Sequence, residues 1–272
     1  MDLINKFNED GYIVIPNLIS EHEIKNYKKM LESYHEKYSP HYPHGFKKTS
    51  HGLNDKTNEQ VVYNLHNKDF KWYDLIAHPK ILPILDVILK EGSYKNSELY
   101  YMNNNSARNP LLNNPGQQLH SDSRLPGINY CLVANVIWMI DDFTDTNGAT
   151  RVVPKSHKIR EFAKDGESHK DEVLITGKRG SALIFNANLW HGGGPNHDGT
   201  SRWAYALGYA RWFIKPSFDY MRNTPSEIYN SLDDNQKKLM GFYNVPPKDE
   251  FTRLRRISQI PEVPFDYNLP NF

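Results

Sequence analysis

One cysteine, Cys131, stands in a chain of 272 residues. A lone thiol cannot build a disulfide framework, and it excludes a cysteine-cluster zinc site. Neither charge sign is in excess: 33 Lys and Arg face 32 Asp and Glu, for a net charge of +1. That balance carries no footprint for nucleic acid or for an anionic membrane surface. No apolar run approaches the roughly 18 residues of a transmembrane helix. The start, Met1 to Phe7, lacks the basic and apolar regions of a signal peptide. A soluble cytoplasmic protein is the resulting expectation. Internal repeats and low-complexity tracts are missing too, and no shift in composition marks a linker. What the chain does have is 38% hydrophobic and 12% aromatic residues, enough for a substantial core.

Taken in order, residues 1–95 read as mostly helical. Tyr12-Ile13-Val14-Ile15 is a short strand between Gly11 and Pro16. Ser20 with Glu23 forms a capping-box pattern, followed by Ile24, Tyr27, Met30, Leu31 and Tyr34 at helical spacing. Residues 40–70 read as loop; the irregularly spaced histidines around His41 and His44 suit a polar surface or lid better than a metal site. Helical spacing returns from Asp69 to Glu91, broken at Pro79 and stopped at Gly92. Leu99 to Met102 reads as a strand, and Asn103 to Gln117 as a long polar loop.

From 118 to 215 the texture is strands and tight turns. Cys131 to Ile140 is a long buried strand, with Trp138 in the core. Asp145 to Gly148 is a turn, and Arg151–Pro154, Val173–Ile175, Ser181–Phe185 and Trp203–Phe213 are further strands. A mainly β fold with flanking helices follows, its sheets closed or doubled. The reading is a single domain over 1–272: a helical part at 1–95, a β core at about 97–215, and an irregular extension at 216–272. In that extension, Arg253 to Arg256 reads as a solvated helical face.

The chemistry concentrates in Gln118-Leu119-His120-Ser121-Asp122. On a strand, side chains two apart project to one face, so His120 and Asp122 aim together, with Gln118 beside them. Asn188-Leu189-Trp190-His191 follows an apolar strand and precedes three glycines, which puts His191 at a strand end. Two histidines and one carboxylate would make a facial triad for Fe(II), leaving positions open for O2. Eleven residues after His191, Arg202 opens a strand whose small residues, Ala204, Ala206, Gly208 and Ala210, share its face. A buried arginine needs an anion, and its planar fork suits a carboxylate. A keto-diacid that chelates iron at one end and meets Arg202 at the other fits both demands, and 2-oxoglutarate is the natural candidate. Asn135 is a polar residue in an apolar strand and needs a partner, either the cosubstrate or the backbone. His51, His66, His78, His157 and His197 read as surface or core histidines.

Gln-x-Leu-His-x-Asp, then Asp-Asp-Phe-Thr-Asp-Thr-Asn-Gly-Ala-Thr-Arg-Val-Val-Pro-Lys-Ser-His, then Trp-His-Gly-Gly-Gly resembles the phytanoyl-CoA dioxygenase family over about residues 8–215. The resemblance implies a double-stranded β-helix, the jelly-roll or cupin-like core. It implies Fe(II), 2-oxoglutarate and O2 as the reagents. By position, His120, Asp122 and His191 resemble the metal ligands and Arg202 the anchor of 2-oxoglutarate. Gln118 and Thr150 match positions that contact the cosubstrate in relatives. Asp122 is present where some relatives carry a small residue that admits halide, so oxygenation and not halogenation is expected.

The expected activity is hydroxylation of a C–H bond in a small metabolite, with succinate and CO2 released. The same centre supports desaturation, cyclisation or epimerisation, and a non-catalytic jelly-roll binding protein or a cupin-type enzyme without 2-oxoglutarate are more distant readings. Arg124, two after Asp122, is either surface or a contact for a polar or anionic substrate group. Residues 40–60 and 103–117 are the expected substrate walls, and their polar content favours a polar metabolite over an acyl-CoA. Oligomeric state is open.

Overall fold

Ser20 begins the longest helix with both halves of its capping box. Its hydroxyl accepts from the Glu23 amide at 3.3 Å, and the Glu23 carboxylate accepts from the Ser20 amide at 3.2 Å. Two of the amides that a helix start leaves unpaired are thereby satisfied. The computed structural model describes residues 2–42, 58–96, 100–164, 166, 168–244, 249–250 and 268–270. In order these give α1 (Leu3–Asp10), β1 (Tyr12–Ile15), α2 (Glu21–Tyr38), β2 (Glu59–Tyr63), α3 (Tyr73–Ile76), α4 (Leu82–Lys90), β3 (Tyr100–Pro110) and β4 (Val133–Met139). Then come β5 (Thr150–Val152), β6 (Val173–Ile175), β7 (Ala182–Asn186), β8 (His191–Gly193), β9 (Ala204–Arg211), α5 (Ser226–Ser231) and α6 (Asp234–Leu239). Among the described residues no helix is long and apolar enough to cross a membrane.

The strands form a six-stranded sheet in the order β1-β7-β4-β9-β3-β2 and a three-stranded sheet in the order β6-β5-β8. The chain divides into two compact units. The first takes Met1–Tyr63 and Ser106–Ala206, the second Asn64–Asn105 and Leu207–Asn271, so β3 and β9 each carry residues of both.

In the first unit, antiparallel pairing sets Asn135 of β4 opposite Phe185 of β7, and Thr150 of β5 opposite Gly193 of β8. Met139, Phe143, Val152, Ile175, Leu183, Phe185 and Leu189 form one buried cluster that includes residues of both sheets. Burying side chains of this size yields roughly 1.5–3 kcal/mol each. Trp138 is fully buried, as its strand position implies. In the second unit, the Tyr209 hydroxyl donates to the Ile76 carbonyl at 2.7 Å, and Arg211 donates to the Glu91 carbonyl at 2.7 Å. His66 is buried there between Asn223, at 2.6 Å, and Asn105, at 3.2 Å.

Three expectations about local structure are corrected. Residues 59–63, read as loop, are strand β2, and the asparagine-rich stretch from 103, also read as loop, is strand through Pro110. Asparagine is depleted in strands because its amide competes for backbone partners. Here the competition is removed by partners distant in sequence. Asn109 donates to Gln60 at 2.8 Å and accepts from the Arg202 amide at 2.7 Å, while Asn105 accepts from the Leu65 amide at 3.2 Å. Third, Gln118 to Asp122 is not a regular strand; a single isolated bridge joins His120 to His191. Residues 43–57 of the expected wall, Leu99, and the basic run Arg253 to Arg256 lie outside the described residues.

Candidate metal centre

His120 and His191 meet as a hydrogen-bonded antiparallel pair. Each amide donates to the other's carbonyl at 2.9 Å, and the two rings lie with centroids 4.4 Å apart. Side chains directly opposite in such a pair leave on one side. Close approach of the two segments depends on Gly192, where an added Cβ would stand 2.9 Å from the Gln118 carbonyl oxygen. Gln117 holds the next step: its amide donates to the Gly193 carbonyl at 2.8 Å, and its side-chain oxygen accepts from the Gly193 amide at 2.9 Å. Arg151 ties the same segment down by donating to the Gln117 carbonyl, at 2.6 Å, and to Glu172, also at 2.6 Å.

Asp122 completes the group. One ligand atom from each of His120, Asp122 and His191 falls within 4.8 Å of the others. Asp122 Oδ1 lies 3.6 Å from His120 Nε2, and Oδ2 lies 3.5 Å from His191 Nε2. The tautomers follow from the backbone. His120 Nδ1 sits 2.9 Å from the Gln118 carbonyl and His191 Nδ1 sits 2.8 Å from the Leu189 carbonyl. A carbonyl only accepts, so each Nδ1 carries the proton and each Nε2 is left to bind a metal.

Burial acts to lower the pKa of His191, but the charge and hydrogen bond of Asp122 outweigh it, and the net shift is upward. Without a cation, a proton is thus favoured at the place where a metal would bind. Phe185 backs the His191 ring at 4.6 Å between centroids, and the Asn135 amide donates to Asp122 Oδ2 at 2.7 Å. Two neutral imidazoles and one carboxylate, with one edge exposed, fit a mononuclear Fe(II) facial triad in donor type and number.

Arg202 is buried, and its Nε finds no hydrogen-bond partner among the described residues. Its guanidinium lies over the Phe143 ring, 4.9 Å from the centroid, and its Nη2 stands 3.6 Å from where a Cβ at Gly193 would be. Burial pushes its pKa down to about 10, against the nearby charges of Glu59 and Asp141. An interior guanidinium with a donor to spare calls for an anion beside it.

The other candidate residues fall in different places. Thr150 is buried on β5 opposite Gly193. Gln118 has an exposed side chain and contributes its carbonyl to His120. Arg124 is exposed. Asn135 has a partner the sequence did not name, the carboxylate of Asp122. Gln117, Phe143 and Phe185 support the centre without having been singled out. Gln117 adjoined the motif, but nothing local distinguished it from its neighbour.

The family model described as phytanoyl-CoA dioxygenase (PhyH) matches residues 7–204. The dioxygenase trt7 of Aspergillus terreus is 25% identical over 250 residues, covering 87% of this chain and 82% of that protein. Mycobacterial relatives at 26% identity match over 179 residues, and the chain spans only 64% of their length. Among solved structures, HygX from Streptomyces hygroscopicus with nickel, 2-oxoglutarate and hygromycin B bound superposes with a TM-score of 0.60 at 14% identity, covering 83% of this chain and 92% of that one. The epimerase SnoN, in complex with Fe3+, alpha ketoglutarate and nogalamycin RO, gives 0.60 at 15% identity, covering 82% and 89%. The jelly-roll core expected of the chain is the fold these neighbours share with it.

Proposed function

The chain belongs to the phytanoyl-CoA dioxygenase family, and on that premise we propose that it is an Fe(II)- and 2-oxoglutarate-dependent dioxygenase that hydroxylates a C–H bond of a small metabolite. The observation that carries the reading is the cluster of His120, Asp122 and His191 with the buried Arg202 guanidinium close to the end of β8. When bound, iron with 2-oxoglutarate and O2 supplies an oxidant able to remove hydrogen from carbon, with succinate and CO2 as co-products.

The chain's own contribution is positioning and exclusion of water. His120 and His191 present Nε2 because the Gln118 and Leu189 carbonyls hold their Nδ1 protons. Arg202 would hold the far carboxylate of 2-oxoglutarate, in a setting where burial strengthens an ion pair. Thr150, buried on β5 opposite Gly193, would flank the cosubstrate. Arg124, just past Asp122, is available to a polar or anionic substrate group.

Anaerobic addition of Fe(II) and 2-oxoglutarate is expected to give a weak visible charge-transfer band, and aerobic turnover with candidate metabolites to give succinate. Absence of both would overturn the assignment. The epimerase among the structural neighbours favours a second reading, in which the same centre leaves the substrate's mass unchanged. Product mass separates the two, because hydroxylation adds one oxygen and epimerisation adds nothing, while desaturation or cyclisation would remove two hydrogens.

A further inference from the structure

Asp122 differs from the two histidines in how it is held. Both imidazoles are fixed by the carbonyl two residues before them, Gln118 for His120 and Leu189 for His191, whereas the carboxylate lies on an irregular segment. Its backbone is pinned on either side, at the His120–His191 pair and by the Ser123 amide donating to the Ala187 carbonyl at 3.0 Å. Neither bond constrains the Asp122 side chain, which is 33% exposed. Asn135 meets the carboxylate from the sheet, its Nδ2 standing 2.7 Å from Oδ2. A carboxylate only accepts, so the amide must present its N–H there.

Asn135 is itself immobilised. It is a buried residue of β4 between Ala134 and Val136, both fully buried. Its cross-strand partner is Phe185, the ring that backs His191. Paired residues project to one side of a sheet. Neighbouring strands of the rigid sheet therefore support two members of the cluster, one by ring packing and one by a hydrogen bond.

We propose that Asn135 is the positioning residue for the carboxylate ligand: by donating to Asp122 Oδ2 it sets how the carboxylate is presented to the metal. This rests on the iron-site reading above and deepens it. Losing a partner that orients a metal ligand commonly costs about 10- to 100-fold in metal affinity. Without the amide, Oδ2 loses this fixed donor and the presentation of the carboxylate to a metal changes.

The test loads the full-length protein with Co(II) and follows affinity by titration and coordination by the visible d–d bands. Asn135→Leu keeps the volume and removes the donor; Asn135→Ala is the second variant, for the case that leucine disturbs β4. In folded variants the expected result is an affinity loss of about 10- to 100-fold with a changed band shape. Affinity of the metal-saturated protein for 2-oxoglutarate is expected to hold. Wild-type affinity and an unchanged spectrum in both variants would overturn the proposal. So would a selective loss of 2-oxoglutarate binding, which would make Asn135 a cosubstrate contact. Failure of the wild-type protein to bind Co(II) would instead sink the iron-site reading itself.

Discussion

His120 and His191 are each other's backbone partners: the amide of either donates to the carbonyl of the other at 2.9 Å. The spacing of these two candidate metal ligands is therefore a property of one β-bridge. The bridge requires Gly192, since a Cβ there would meet the Gln118 oxygen at 2.9 Å and the Gln117 oxygen at 3.0 Å. Both are backbone atoms that cannot swing aside. Gly192→Ala is expected to cost about 1–3 kcal/mol by overpacking and to weaken Co(II) binding at least about tenfold. Titration alongside urea denaturation reads both, and wild-type values for the two would refute the constraint.

Arg202 separates stability from ligand binding. A buried guanidinium with an unpaired donor is costly, and an apolar side chain of similar size often costs less. Arg202→Met is expected to leave the melting temperature unchanged or raised while 2-oxoglutarate affinity falls about 100-fold. Calorimetric titration of the metal-loaded variant that returned wild-type affinity would remove Arg202 from the site.

Asp141 secures the entry to β9. Its carboxylate accepts from Lys28 at 2.7 Å, from the Ser201 hydroxyl at 2.7 Å and from the Trp203 amide at 3.0 Å. Asp141→Ala strands all three donors at once, and the buried amide is the most costly of them. A loss of about 3 kcal/mol is expected, measured by chemical denaturation. A change below 1 kcal/mol, within reach of an exposed ion pair, would show that the network is slack.

Acid sensitivity should trace to His66. Burial pulls its pKa from 6.5 to about 3, opposed by the Asn223 hydrogen bond. Between those values the unfolded chain holds a proton that the folded chain refuses. Stability is therefore lost as pH falls from 6.5 toward 3, at about 1.4 kcal/mol per pH unit from this group. His66→Gln should flatten the slope between pH 7 and 5, and an unaltered slope would place the acid-labile group elsewhere.

His191 gives the opposite sign. Its folded pKa is raised, so in the metal-free protein it adds stability below the ordinary histidine pKa and loses it as pH climbs through the raised value. A metal must displace that proton. The increase in melting temperature given by Mn(II) should therefore grow with pH across this range. A shift independent of pH would show that no proton is exchanged.

Much of this was legible in the chain because it is local. The Ser20–Glu23 box and the apolar run of β4 declare themselves within a few residues, and the family pattern marks His120, Asp122, His191 and Arg202 together. What escaped depends on distance. The Asn103–Asn109 stretch looked like a loop because the groups that satisfy it, Gln60, Leu65 and the Arg202 amide, come from elsewhere. Asn135 was flagged as needing a partner, yet no pattern along the sequence could name Asp122. The same-face argument for His120 and Asp122 assumed a strand, and a single bridge with a tethering amide achieves the convergence instead.

The imidazoles are aimed by peptide oxygens, which every residue carries. The Gln118 side chain faces outward while its carbonyl holds His120. Substitution at that position changes what the surface presents without detuning the imidazole behind it, so one candidate metal cradle can keep its aim while its surroundings vary.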